Sequence, residues 1–328
     1  MTFIGSDGAT LLRDGKPWRF ILANAYYLQD EIGQGAPENC AAALDDAVAF
    51  GAAVVRAWAF NDNPDKTSRM WNGLDQPMES GFVALDRAVA AAGRRDLHLI
   101  LALHDYWPSY GGMAQWMRWR GVAVGNEQSP ADYAAQFYGD SQLRDAYRLR
   151  VTTLLDRRNS VTGVRYGDDP TILAWELMNE ARQAPADWVS FAAGCVRDRS
   201  RQLVSLGDEE ARDSPDLDLA SLHFYPEKQG AAVGDEARFG AARITQAAHH
   251  VTRPLIVGEF GIASSRLPVA ERREIYAGWF ECAREQGVAG IGPWMLAYAG
   301  RTPDSEGFSY YRGGEYDGII GAAVADLA

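Results

Sequence analysis

The feature that most constrains this chain is a repeated pairing of a short, fully apolar run with a following Ala-rich amphipathic segment. Eight such runs can be read: Phe20 to Tyr27, Ala53 to Phe60, Leu97 to His104, Thr171 to Met178, Leu203 to Leu206, Leu217 to Phe224, Pro254 to Phe260 and Ala289 to Leu296. A strand that is apolar at every position must be covered on both faces, which calls for a parallel sheet sandwiched by helices. Amphipathic segments with a 3.6-residue period lie between the runs: Glu38 to Phe50, Gly81 to Ala92, Pro130 to Leu155, Ala186 to Arg201, Arg238 to Val251 and Val269 to Gln286. Eight strand-helix units predict a single α/β domain over residues 1–328, a (β/α)8 TIM barrel. The stretch from Leu206 to Leu217 is too short for a proper fifth helix, and the eighth helix, around Ile319 to Leu327, is weakly patterned. Turn signals at Ser6-Asp7-Gly8 and Asp14-Gly15-Lys16 predict a short N-terminal β-hairpin before the first barrel strand.

Composition narrows the function classes. With 32 Lys and Arg against 44 Asp and Glu, the formal net charge is -12, so no nucleic-acid or anionic membrane partner is expected. Cys40, Cys195 and Cys282 are three, far apart and without CxxC spacing, which argues against a structural metal or a disulfide framework. The first residues lack the pattern of a secretory signal and no run is long enough to span a bilayer. The expected location is cytoplasmic as written, or secreted or periplasmic if a signal peptide has been removed.

Polar residues interrupt the apolar runs at their C-terminal ends, the end of a barrel at which active sites are built. Asn179 and Glu180 end the fourth run (TILAWELMNE) and Glu259 ends the seventh (PLIVGEFG). Two carboxylates at one rim can be held in different protonation states, as glycoside hydrolysis requires. Taken singly, each is equally a helix cap or an ion-pair partner. Arg56, His104, His223 with Tyr225, and Trp294 occupy the ends of other runs. Buried one by one they are costly, and together they make a mutually bonded rim. Two inserts, Asn61 to Ser80 and Asp105 to Ser129, follow strands and are expected to shape a cleft.

In that order Arg56, His104, Asn179-Glu180, His223 and Tyr225, Glu259 and Trp294 resemble the site pattern of glycoside hydrolase family 5. RAWAFND (Arg56 to Asp62), WPSYGGMAQWMRW (Trp107 to Trp119), NEAR (Asn179 to Arg182) and HFYPE (His223 to Glu227) are similar to phrases of its β-mannanase branch. Ala181 stands where that branch more often has Pro, and His104-Asp105-Tyr106 where it is asparagine-rich. The resemblance implies a retaining glycosidase with Glu180 as acid/base and Glu259 as nucleophile. It further implies substrate contacts from Arg56, His104, Asn179, His223, Tyr225, Trp294, Trp107 and Trp119, with no cofactor and no metal. Trp58, Trp71 and Trp116 are further sugar-platform candidates, each as readily a core aromatic. The implied partner is a β-linked oligo- or polysaccharide, with β-1,4-mannan first and exo-mannosidase or β-1,4-glucanase action left open. Two rivals stand beside this reading: a metal-dependent barrel using Glu180, His223 and Glu259 as ligands, and a catalytically silent sugar-binding barrel.

Overall fold

The computed structural model describes residues 1–327. Residues 1–19 form a three-stranded antiparallel ribbon, β1 (Gly5–Asp7), β2 (Thr10–Arg13) and β3 (Lys16–Pro17), one strand more than a simple hairpin. Ile4 and Leu11 of this ribbon are buried in the same cluster as Phe20, Leu22, Val54, Ile100, Leu173 and Ile256. These last residues fill the interior of the barrel at its N-terminal end, so the ribbon seals the floor of the barrel.

The barrel strands are β4 (Phe20–Asn24), β5 (Ala52–Trp58), β6 (His98–Ala102), β7 (Ile172–Glu176), β8 (Leu203–Ser205), β9 (Ala220–Phe224), β10 (Leu255–Phe260) and β11 (Gly290–Ile291). They are parallel and ordered β8-β7-β6-β5-β4-β11-β10-β9. The seam between β8 and β9 carries no regular ladder. It is bridged by Asp218 N–H to the Val204 carbonyl (2.8 Å), by Val204 N–H to the Asp218 carboxylate (2.8 Å) and by His223 N–H to the Asp208 carbonyl (2.8 Å). All eight expected strands are present, but most stop two to five residues before the predicted ends. The polar residues therefore sit mainly on the segments just past the strands.

The helical layer contains α1 (Leu28–Gly33), α2 (Pro37–Ala49), α3 (Glu79–Gly93), α4 (Gly112–Trp119), α5 (Ala134–Gly139), α6 (Ser141–Asp156), α7 (Ala186–Arg197), α8 (Glu236–His250), α9 (Val269–Glu285) and α10 (Asp317–Leu327). The predicted helix Pro130 to Leu155 is broken into a 3-10 turn, α5 and α6. The break falls at Asp140, whose carboxylate accepts from Gln142 N–H and Leu143 N–H and so starts a new helix. No helix lies between β8 and β9, as the short spacing predicted. Among the described residues no helix is long and apolar enough to cross a membrane.

The two inserts divide in role. Residues 61–80 lean against α1 and α3, with Met70 and Trp71 buried, Gln29 donating to the Ser68 and Gly81 carbonyls, and Ser68 and Lys66 both bonded to Asp30. That segment does not line the cleft described below. The second insert contributes Asp105, Trp107 and Ser109 to it.

Candidate active site

The polar centre is built on Arg56, which lies on β5 among the side chains that face the barrel interior and is only 1% exposed. A buried guanidinium must have its donors satisfied. Its Nε and Nη2 hold Glu176 bidentately at 2.8 and 2.6 Å, and Nη1 reaches Glu259 at 2.6 Å. The fork is completed by Asn179 Oδ1 (2.7 Å) and Asn24 Oδ1 (3.3 Å). Burial alone would lower the Arg56 pKa, but the charges of Glu176 and Glu259 carry it above its ordinary value.

Glu259 is aimed inward by a local irregularity of β10. The register against β9 slips between Val257 and Glu259, leaving Gly258 unpaired at a bulge. A Cβ at Gly258 would lie 2.8 Å from His223 Nε2 and 2.9 Å from Ser221 Oγ, so the close approach of β9 requires glycine there. Both oxygens of Glu259 are engaged: Oε1 by Arg56, Oε2 by the Tyr225 hydroxyl at 2.6 Å. Burial and the Glu259 charge push the Tyr225 phenol well up, so it stays a donor.

Glu180 follows β7 at φ 44°, in the left-handed region, a turn that places Asn179 and Glu180 on the same mouth. Trp107 donates its indole N–H to Glu180 Oε2 at 2.6 Å, and His223 Nδ1 lies 3.3 Å from Oε1. The same His223 nitrogen is 3.5 Å from Glu259 Oε1. Burial raises the Glu180 pKa, but the hydrogen bond and charge of His223, the Trp107 donor and Arg182 outweigh it and leave the group below the usual carboxylate range. Burial pulls His223 down; Glu259 and Glu180 more than offset this and raise it. Both directions favour a protonated His223 beside an ionised Glu180.

A carboxylate oxygen from each of Glu180 and Glu259 and a ring nitrogen of His223 lie within 4.8 Å of one another. The three ligands of the metal-dependent rival thus do converge. A cation bound by them would have to share Glu259 with the guanidinium 2.6 Å from that carboxylate, and the two positive charges would repel.

Above this cluster is a cleft of ≈ 660 Å³. Its walls carry Trp294, Trp58 and Tyr26 on one side, and Trp107, Arg182 and Glu209 on the other. Trp294 stacks on Tyr26 (centroids 5.3 Å apart, planes 9° from parallel) and lies 6.1 Å from Trp58. The loop after β11 adds Asp304, Ser305 and Glu306, with Glu306 paired to Lys228 at 2.8 Å.

Of the residues predicted from sequence, Arg56, Asn179, Glu180, His223, Tyr225, Glu259, Trp294 and Trp107 meet here. His104 and Trp119 do not. The His104 ring is wholly buried on the helix side, 4.4 Å from Trp116 and stacked on Phe137, and neither ring nitrogen has a partner. Burial and the nearby Arg150 hold it neutral, well below its ordinary pKa. It touches neither Arg56 nor the cleft. Trp119, at the end of α4, packs into the outer core with Arg150 5.3 Å from its ring, and Trp71 and Trp116 are buried in the same layer.

Three residues at the centre were not anticipated. Glu176 shares Arg56 with Glu259. Asn24, at the end of β4, accepts from Arg56 and donates to the Gly258 carbonyl at 2.8 Å. Asp105, not His104, faces the cleft: its Oδ1 accepts from Asn179 Nδ2 (2.9 Å) and from Trp107 N–H (3.1 Å). Burial holds the Asp105 carboxyl well above the usual range.

The family model for glycoside hydrolase family 5 beta-mannosidase-like proteins matches residues 1–228 of this chain. The chain belongs to glycoside hydrolase family 5. It is 30% identical to mannan endo-1,4-beta-mannosidase 2 of Oryza sativa subsp. japonica, over 94% of this chain and 80% of that protein. Mannan endo-1,4-beta-mannosidase 1 of Arabidopsis thaliana is 29% identical over 81% of this chain and 73% of its own length. Among solved structures, the hyperthermostable endo-1,4-beta-D-mannanase of Thermotoga petrophila RKU-1 superposes with a TM-score of 0.81 at 25% identity, covering 94% of this chain and 99% of that one. The family 5 mannosidase of Rhizomucor miehei shares the fold at a TM-score of 0.87 and 21% identity, covering 99% of this chain and 97% of that one by one structure at 0.86, and 100% and 98% by another at 0.87. The chain is a glycoside hydrolase, and the fold is the family's barrel.

Proposed function

We propose that this enzyme hydrolyses β-1,4-mannosidic bonds with retention of configuration, Glu259 acting as nucleophile and Glu180 as acid and then base. The observation that carries the mechanism is the approach of the two carboxylates, whose oxygens lie within 4.8 Å of each other. Retaining glycosidases place the pair at about 5–5.5 Å, whereas inverting enzymes need roughly 6.5–9.5 Å to admit a water. The choice of mannosides follows the relatives, which are mannan endo-1,4-beta-mannosidases by name.

Glu259, held by Arg56 and Tyr225, attacks the anomeric carbon, while Glu180 protonates the departing glycosidic oxygen. His223 Nδ1, 3.3 Å from Glu180 Oε1, is placed to hand that proton to the acid. A glycosyl-enzyme results. Glu180, now ionised, removes a proton from water as it attacks the same carbon and restores Glu259. Asn179 is fixed by Arg56 and Asp105, which leaves its second amide N–H for the substrate 2-hydroxyl. Trp294 offers an indole face to the sugar.

Anomer analysis with azide tests the roles. On an aryl β-mannoside, Glu259→Ala should lose several orders of magnitude in turnover and, with azide, yield the α-mannosyl azide. Glu180→Ala should still form the glycosyl-enzyme and yield the β-mannosyl azide. Near-normal turnover in either variant, or the opposite anomers, would overturn the assignment.

A further inference from the structure

The cleft is not the same at its two ends. The bond to be cut lies between Glu180 and Glu259, so the leaving group occupies the Glu180 side, near Trp107, Arg182 and Glu209. That margin is solvated, with Ser109, Arg182 and Lys228 exposed at the cleft edge. The sugar being transferred lies on the other side, against Glu259, Trp294, Trp58 and Tyr26. There the lining includes Tyr26 but none of Asp30, Lys66, Tyr110 and Arg301 behind it.

Tyr26 is a fixed ring. It stacks on Trp294, lies 5.8 Å from Trp58, and meets the Tyr110 ring edge-on at 5.8 Å. Arg301 donates to its hydroxyl at 3.2 Å and is itself held by Glu31 at 2.5 Å. Behind it Tyr110 is anchored by its hydroxyl on Asp30 (2.8 Å), with Lys66 bound to the same carboxylate oxygen and lying 4.7 Å over the Tyr110 ring. The backbone that carries Tyr110 is equally constrained, since its carbonyl accepts from Asp62 N–H at 2.8 Å. Two glycines follow at positive φ, and a Cβ on Gly112 would fall 1.8 Å from the Trp107 carbonyl oxygen. Asp30, Lys66, Tyr110 and Arg301 form a polar and aromatic backing outside the cleft, so a saccharide continuing past Tyr26 would have to unmake all of these contacts.

Building on the mannosidase reading above, we propose that Tyr26, backed by Tyr110, ends the cleft one sugar beyond the scissile bond, and that the enzyme removes single mannosyl units from non-reducing ends. Its substrates are then short β-1,4-manno-oligosaccharides and chain ends rather than the interior of the polymer.

The test is a time course on mannohexaose tagged at its reducing end, sampled at low conversion, with soluble mannan viscosity measured in parallel. Free untagged mannose and tagged pentaose as the first products, with no early fall in viscosity, are the expected result. Untagged mannobiose or larger fragments among the first products of the native enzyme would overturn the proposal while leaving mannoside hydrolysis intact. No turnover of any mannoside, aryl mannoside included, would take down both readings. The double variant Tyr26→Ala/Tyr110→Ala should shift the first untagged product from mannose towards mannobiose, whatever the change in its rate on the aryl mannoside. A variant active on the aryl mannoside with an unchanged product pattern would show that these rings are not the barrier.

Discussion

Replacing Arg56 by Met keeps the bulk of the side-chain stem and removes only the charge and its donors. Arg56 makes five hydrogen bonds, to Glu176 twice, Glu259, Asn179 and Asn24. Glu176 and Glu259 are 2% and 3% exposed, so water cannot replace the lost cation. Removing one partner of a buried ion pair costs about 3–5 kcal/mol, because the other charge stays desolvated. At ~2 °C per kcal/mol for a chain of this size, the melting temperature at pH 7 should fall by about 6–10 °C. Adding Glu176→Met to the same chain removes one of the two stranded carboxylates. The double variant should therefore melt above Arg56→Met, although Glu176→Met alone, which leaves Arg56 its Glu259 partner, should also be destabilised. Calorimetry on the three variants gives the coupling directly. A single variant within about 2 °C of the native protein, or a double variant as unstable as the two singles added, would refute the claim that this guanidinium neutralises the buried acids.

Two further outcomes follow from groups that burial holds neutral. Asp105 has a raised folded pKa, so its favourable state is fully present only below the unfolded value of 3.8 and stability is lost as pH rises from there. Asp105→Asn keeps the acceptor for Asn179 and Trp107 without that penalty and should melt higher than the native protein at pH 7 but not at pH 4; an equal gain at both would exclude the titration as its source. His104 is displaced the other way. Its folded pKa lies well below 6.5, so its contribution is complete above that value and is lost as pH falls. His104→Phe, stacked between Trp116 and Phe137, should lessen the loss of stability between pH 7 and pH 5 in denaturant titrations and change turnover by no more than a few-fold, whereas an intact pH slope would assign the loss to other groups.

What could be read in the sequence, and what could not, follows from where side-chain alternation holds. Along β5, Val54, Arg56 and Trp58 share the inner face while Val55 and Ala57 pack outward, and on β7 Glu176 is inward while Trp175 is outward. Within most of the strands the two-residue period separates inner from outer residues, failing where the register slips on β7 and β10, and the eight apolar runs are enough to predict a barrel. Glu176 was legible as well. The barrel strands contain two acids, Glu176 and Glu259, and one Arg or Lys, Arg56, so pairing the few charges of the strands, whatever their face, would have brought all three together. Past the strand ends the period lapses. After Ala102 the chain turns so that Asp105 pairs with Asn179 and His104 swings out to Trp116, an exchange of neighbouring residues that no periodicity encodes. The bulge at Gly258 and the left-handed backbone at Glu180 are similar departures, and each re-aims a carboxylate. The cleft walls lie further still from any local signal. The segment GRTPDSEG reads as a solvated loop, and it is rigid because Asp304 accepts from the N–H groups of Glu306, Phe308 and Ser309. Its place over the cleft is set by Ala297 N–H to the Tyr310 carbonyl and Tyr310 N–H to the Met295 carbonyl. The chemistry of the site is therefore carried by residues a sequence pattern can find, whereas the length of substrate it admits depends on packing among Tyr26, Tyr110, Asp30 and Arg301, contacts that span up to 275 positions of the chain. A family match reports the first reliably and the second hardly at all, which is why product analysis, and not further comparison of sequences, decides between chain-end and internal cleavage.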